Sequence, residues 1–165
     1  MPAGFVIVLI VDTYSQFYSE NKDRLYAYLL RMTGETQLAV DLVQESFVRY
    51  LGRYGSQDGG SRSLLFTIAR NAALDAIRQR KSVNDEVDAC EDPGNNPEQQ
   101  VIHRQALERM LAAIGQLVPK DREMISLVAT ADLTYNEIAS ILNISEANVK
   151  VRVHRARTKL RAILG

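Results

Sequence analysis

Apolar residues along the first third of the chain recur every three or four positions, the spacing that lines one face of an α-helix. Phe17, Leu25, Tyr28, Leu29 and Met32 mark one such stretch, and Leu38, Leu42, Phe47 and Leu51 mark a second, with Gly34-Glu35-Thr36 as the break between them. Residues 52–63 are loop-like, punctuated by Gly55, Gly59 and Gly60. A third helix over about 63–80 would bury Leu65, Ile68, Ala69, Ala72 and Ile77. The period then stops. Residues 82–97 include Pro93-Gly94-Asn95-Asn96-Pro97 and read as a flexible linker. Periodicity resumes near Val101 with Leu107, Leu111 and Ile114, ends at Val118-Pro119, and is followed by a helix over about 120–130 and two more to the C-terminus. The pattern predicts an all-α protein of two small helical domains, 12–82 and 101–165, joined by a flexible acidic linker over 83–100.

The last two helices carry the most specific local signals. Thr134-Tyr135-Asn136-Glu137 is a capping-box pattern, with Thr as N-cap and Glu three residues on. The helix it opens contains Ala139, small enough to let a second helix cross closely. Asn143 then stands where a left-handed turn residue is needed, and Ser145 can cap the final helix. In that helix Val149, Val153, Ala156 and Leu160 form one apolar stripe, while Lys150, His154, Arg155, Thr158 and Arg161 lie away from it. This is a helix-turn-helix whose second helix enters the major groove of DNA. A solvated cationic face would account for any one of these side chains, but not for the box, the small residue, the turn and the basic face together.

Charge changes the picture once it is taken by segment. The formal net charge is +0, which is unpromising for a nucleic-acid binder, yet the charges are segregated. Residues 148–161 hold Lys150, Arg152, Arg155, Arg157, Lys159 and Arg161 with no acid. Residues 62–81 hold Arg62, Arg70, Arg78, Arg80 and Lys81 against Asp75 alone. Between them, 83–100 is acidic and without a base. Cys90 and the well-separated His103 and His154 make no metal-ligand set, so neither a metal nor a cofactor is expected, and a reducing cytoplasm is the natural compartment. The apolar run Phe5–Val11 is too short to cross a bilayer and lacks the flanks of a targeting signal; no membrane insertion is expected, and no function is assigned to it.

Two sets of motifs in fixed order resemble one known family. Leu133-Thr134-Tyr135-Asn136-Glu137-Ile138-Ala139 with Val149 through Arg157, preceded by Leu117-Val118-Pro119-Lys120-Asp121-Arg122-Glu123, is similar to region 4 of the extracytoplasmic-function sigma factors. Asp41-Leu42-Val43-Gln44-Glu45-Ser46-Phe47 resembles region 2.2 of that family, and Ile68 to Asp75 with Arg78 to Lys81 resembles its regions 2.3 and 2.4. The resemblance implies a non-enzymatic subunit that binds core RNA polymerase, through its β′ clamp helices and β flap, and directs it to promoter DNA. Lys150, Val151, Arg152, His154, Arg155 and Thr158 would then contact the minus-35 element. Arg62, Ser63, Arg70, Asn71 and Arg78 would contact the minus-10 element, with the glycine-rich 52–60 loop holding a flipped base.

Asp41, Gln44, Glu45 and Arg49, on one polar face, would dock on the polymerase; spacing alone marks only an ordinary amphipathic helix there. Family members are commonly held by an anti-sigma factor, so such a partner is expected. The acidic linker would pass through the polymerase cleft, a plain solubilising tether being the alternative. Two departures from the family pattern stand out. Leu64 replaces a frequent Trp, with Phe66 as the nearby aromatic that would compensate, and Val151 replaces a frequent Ser. At Val151 only apolar contact is available, for example with a thymine methyl. A free-standing helix-turn-helix regulator is the competing reading, but it leaves the Asp41–Phe47 and 68–81 matches without a role. An enzyme on nucleic acid is disfavoured by the lack of a phosphate loop, a metal-ligand set or a nucleophile–base pair.

Overall fold

A computed structural model of the chain describes residues 3–54, 61–82 and 97–165, with side chains over 13–53, 61–82 and 99–165. The first domain is α1 (Ala3–Thr33), α2 (Thr36–Tyr54) and α3 (Arg62–Lys81); the second is α4 (Pro97–Gly115), α5 (Pro119–Val128), α6 (Tyr135–Leu142) and α7 (Glu146–Leu164). All regular structure among the described residues is helical, as the periodicity predicts. α1 extends further back than Phe17, the first residue that the helical spacing marks. Gly55, Gly59 and Gly60 of the expected base-holding loop, Cys90 and most of the acidic linker lie outside the described residues, as do the side chains of Phe5–Val11.

Local chemistry sets the boundaries. Gly34 stops α1 with a φ of +74°, a conformation open to glycine at no steric penalty, and its N–H closes on the Leu30 carbonyl at 2.8 Å. Ser61 caps α3 by accepting from the Leu64 N–H at 3.3 Å. The Ser61 N–H in turn donates to the Tyr50 hydroxyl at 2.9 Å, which ties the end of α2 to the start of α3. Pro119 opens α5, where a missing N–H leaves no helix bond unmade.

Leu25, Leu29, Leu65, Phe66 and Ala69 are fully buried in the first domain, each large one contributing roughly 1.5–3 kcal/mol through removal from water. Phe17 stacks on Tyr50 with ring centroids 5.0 Å apart, and Tyr28 meets Phe66 edge-on at 5.4 Å. Some positions marked by the spacing face outward instead. Leu51 lies exposed on the outer side of α2, Ile77 is only half-buried, and Val101 and Leu107 of α4 are exposed. α4 is anchored by its C-terminal turns, where Ala113 and Ile114 are buried.

The two domains pack on each other, α3 against α6 and α1 against α5, and the buried apolar cluster runs through both. Periodicity gives no sign of this seam because arginines of the first domain make its polar contacts. Arg24 pairs with Asp132 at 2.6 Å. Arg31 donates to the Ser126 carbonyl and the Thr130 hydroxyl, both at 3.0 Å. Burial lowers the pKa of the Arg31 guanidinium, and Tyr28 beside it partly opposes that shift. Burial also pushes the Tyr28 hydroxyl far above the usual tyrosine range, with Glu123 adding to the push.

Candidate nucleic-acid interface

α6 and α7 form the turn that the motif predicts. The Thr134 hydroxyl accepts from the Glu137 N–H at 3.1 Å, and a Glu137 carboxylate oxygen accepts from the Thr134 N–H at 2.8 Å, so both halves of the capping box are made. Asn143 adopts the left-handed conformation at φ 53° and ψ 49°, and the Ile144 N–H reaches back to the Ala139 carbonyl at 3.0 Å. Ser145 caps α7 by accepting from the Asn148 N–H at 3.2 Å. Together these bonds fix the angle at which α7 leaves α6.

α7 then separates into two faces. Val149, Val153 and Ala156 are buried against α5 and α6. Lys150, Val151, His154, Arg155 and Thr158 are exposed on the other side, and Arg152 is half-buried at its margin. The Thr158 hydroxyl donates to the His154 carbonyl at 2.9 Å, which turns it along its own helix with its oxygen still able to accept. Val151, 48% exposed, is an apolar point on a cationic surface.

Beside this face is a notch of about 190 Å³ lined by Tyr135 of α6 and by Lys150, Val153, His154, Arg157 and Arg161 of α7. Lys150, His154, Arg157 and Arg161 step by four, three and four, so they form one row with no acid in the lining. An anionic oxygen seated there meets several donors at once, which is what a DNA phosphate requires. Tyr135 and Arg157 are absent from the sequence-based minus-35 set. The helical spacing that sorted α7 into faces could have flagged Arg157, whereas Tyr135 joins the row only through the packing of α6.

In the first domain the expected minus-10 residues are not gathered on one surface. Asn71 lines a cavity of about 510 Å³ between α2 and α3 together with Arg49, Gly52, Arg53 and Ile68. Arg78 is exposed on α3, 3.6 Å from Asp75. The Ser63 carbonyl accepts from the Thr67 hydroxyl at 2.7 Å. Arg62 and Arg70 point the other way, into the seam. Arg62 grips Glu137 with its Nε and Nη2 at 2.9–3.2 Å, and Arg70 pairs with Glu123. Arg53 joins the cavity without having been marked by its position in the sequence.

On α2 the side chains of Asp41, Gln44, Glu45 and Arg49 are all exposed, opposite the buried Leu42, Val43, Phe47 and Tyr50. Gln37 donates to Asp41 at 3.0 Å, and Arg49 pairs with Glu45 one turn back. Val48 sits among them and is 69% exposed, flanked on the same side by Val40 and Leu51. An exposed apolar centre ringed by polar groups has the composition of a protein-docking surface.

Comparison with known proteins places this architecture. The family model described as Sigma-70 region 2 matches residues 17–83, and that described as Sigma-70, region 4 matches 107–160. The chain is 33% identical to the ECF RNA polymerase sigma factor SigM of Bacillus subtilis, over 92% of this chain and 94% of that protein. It is 31% identical to the RNA polymerase sigma factor CarQ of Myxococcus xanthus, over 93% and 90%. Among solved structures, the sigma factor RpoE from Bartonella quintana, in complex with the anti-sigma factor NepR, superposes with a TM-score of 0.72 at 25% identity, covering 92% of this chain and 96% of that one.

Proposed function

The chain belongs to the sigma-70 family, among its extracytoplasmic-function members, and from that premise we propose how its surfaces divide the work. A sigma factor binds core RNA polymerase and directs transcription initiation at specific promoters. In our reading α7 reads the minus-35 element through Lys150, Val151, Arg152, His154, Arg155 and Thr158. The row Lys150, His154, Arg157 and Arg161 with Tyr135 clamps a backbone phosphate beside it. The first domain reads the minus-10 element: Asn71, Arg49 and Arg53 line the cavity for an unstacked base, and Arg62, Ser63, Arg70 and Arg78 hold the exposed strand. The feature that carries this division is the pair of cation-lined recesses, one on each domain, with the α7 reading face turned to solvent.

Asp41, Gln44 and Glu45, ringing Val48, form the face for the β′ clamp helices, with Arg49 at the border between that face and the cavity. The exposed Val101, Ile102, Leu107 and Met110 of α4 suit an apolar contact with the β flap. The binding units are 12–82 and 101–165, and the acidic 83–100 segment between them ends in the first turn of α4. The polymerase supplies the chemistry and this chain supplies recognition, so no catalysis or cofactor is assigned to it. Its place is the cytoplasm, where the polymerase works; no helix of the described residues is long and apolar enough to cross a membrane. The complex of Bartonella quintana RpoE with NepR supports an anti-sigma factor as a partner here too.

Run-off transcription with purified core polymerase across a promoter library tests the assignment: a discrete promoter-dependent product is expected, and its absence with an active core enzyme overturns it. A local test is Glu45→Arg, which reverses one charge on the docking face. Core binding should fall about tenfold, a change of about 1.4 kcal/mol, while the full chain's affinity for a minus-35 duplex stays constant. Equal loss of both would remove the docking role from this face.

A further inference from the structure

The crest of α7 is apolar where its flanks are cationic. Val149, Val153 and Ala156 anchor one side of the helix, and helical spacing puts Ala147, Val151 and Thr158 on the side opposite. All three are exposed. Lys150 and His154 border this strip on one side, and Asn148 and Arg155 border it on the other. Val151 is 48% exposed and carries no side-chain atom that donates or accepts a hydrogen bond. The Thr158 hydroxyl already donates to the His154 carbonyl at 2.9 Å, and Ala147 adds only a methyl. A helix drawn into the major groove by its flanking cations presents such a crest to the base edges, its N-terminal half nearest. Val151, in the second turn of α7, belongs to that half.

The groove offers one apolar group at a base edge. Guanine shows two acceptors, adenine an acceptor and a donor, cytosine a donor, and thymine an acceptor beside its C5 methyl. A valine pressed on any of the first three strips water from a polar atom and returns no hydrogen bond. Pressed on the methyl, it removes apolar surface of both partners from water. We propose that Val151 is a specificity-determining residue of the minus-35 face: it selects a pyrimidine by its C5 methyl group, thymine and equally 5-methylcytosine. By this reading, which rests on the assignment of α7 to the minus-35 element, methylation of one cytosine changes how strongly an element is bound. The neighbouring cations cannot make that distinction, because Arg and Lys meet phosphates and guanine acceptors, none of which the C5 methyl alters.

So short-ranged a contact needs a fixed side chain, and the fold supplies one. The Ser145 cap and the bond from the Ile144 N–H to the Ala139 carbonyl set the direction of α7. Val149 and Val153, two residues to either side of Val151, are 0% and 2% exposed, so its backbone is held from both directions. A valine in a helix has one strongly preferred rotamer. The methyl groups of Val151 are therefore in place before DNA arrives, and contact requires little further ordering.

The test uses holoenzyme reconstituted from the full chain and core polymerase, on a promoter chosen by run-off transcription. Each thymine of its minus-35 element is replaced in turn by deoxyuridine, which keeps the base pair and the O4 acceptor and removes only the methyl. At one thymine, wild type should lose about fourfold in promoter-complex formation, equivalent to ~0.8 kcal/mol for one buried carbon. Val151→Ala should bind the thymine promoter more weakly and respond to that deoxyuridine by less than about 1.5-fold, the coupling expected of groups in contact. Val151→Ile, which keeps the apolar contact, should retain the response. With cytosine at the same position, 5-methylation should strengthen binding by about fourfold in wild type and leave Val151→Ala unchanged.

A minus-35 element in which no thymine methyl matters, or which contains no thymine, overturns the proposal. A deoxyuridine response that persists in Val151→Ala overturns it too, because another group would then be reading the methyl. Failure of the underlying assignment looks different: scrambling the minus-35 element would leave promoter-complex formation unchanged, and both readings would fall. A holoenzyme that needs the element and ignores its methyl groups sinks the role of Val151 alone.

Discussion

The two surfaces we propose to face DNA are built in opposite ways. The face we assign to the minus-35 element is one side of one helix: α7 supplies its contacts, with Tyr135 of α6 at the margin, its own buried stripe of Val149, Val153 and Ala156 orients it, and the first domain does not cover it. The face we assign to the minus-10 element is composite. It draws Arg49 and Arg53 from α2 and Asn71 from α3; of its other cations Arg78 is exposed on α3, while Arg62 and Arg70 are turned into the seam. A face carried by a single helix is fixed by local spacing and works alone. A face assembled from several elements depends on how those elements pack.

The largest predicted effect separates the two sides of α7. Val153 is 2% exposed, so Val153→Asp places an unpaired carboxylate against α5 and α6, which destabilises by on the order of 4 kcal/mol. Thermal unfolding should lose the transition of the second domain, and minus-35 binding should vanish with it. Val151→Asp, two residues away on the open face, should leave the melting curve within about 0.5 kcal/mol of wild type, as surface changes usually do. A matching loss of stability at both positions would mean that α7 is not docked by the stripe described here.

Next in size is a pair of substitutions that compares the two faces directly. Arg155→Ala should weaken minus-35-dependent transcription by about 1–3 kcal/mol, the loss of one good base or phosphate contact, with core binding intact. The same loss should appear in minus-35 duplex binding by the free chain, because Arg155 is exposed on α7. Arg70→Ala should instead weaken minus-10-dependent transcription and, in the free chain, remove the Arg70–Glu123 pair of the seam, while leaving minus-35 duplex binding unchanged. If Arg70→Ala lowers minus-35 duplex binding as strongly as Arg155→Ala does, the distinction between the two faces collapses.

The same contrast explains what could be read in the sequence. The helices, the two-domain all-α fold, the capping box, the left-handed Asn143 and the two faces of α7 all follow from spacing over a few turns, and they appear where expected. Positions at the edges of helices did less well. Leu51, Val101 and Leu107 continue an apolar period but extend past the packed core, so period alone misplaces them. Val48 was visible in principle, as an apolar residue in the middle of the polar stripe Asp41, Gln44, Glu45 and Arg49. The direction of Arg62 and Arg70 was not visible. Nothing near them in sequence encodes Glu137 or Glu123, 75 and 53 residues away, and a lone arginine on a helix has no inherent target.

The smallest prediction concerns the caps, which both domains use with different company. Thr134→Ala removes the hydroxyl that accepts from the Glu137 N–H, a loss of about 1 kcal/mol for an N-cap. Ser61→Ala removes the equivalent acceptor for the Leu64 N–H, but the Ser61 N–H bond to the Tyr50 hydroxyl is a backbone bond and survives the change. The Thr134 N–H bond to Glu137 likewise survives Thr134→Ala, so both domains should lose a similar amount, about 1 kcal/mol, and Thr134→Ser should restore most of the second domain's loss. Glu137 shares its carboxylate between the Thr134 cap and Arg62. Freed from the cap hydroxyl it still has Arg62 to hold it, so Thr134→Ala should lower the unfolding midpoint without expanding the chain in scattering. Expansion in that variant would show that the cap and the seam are one structure, and that even the local face of this molecule depends on the domain beside it.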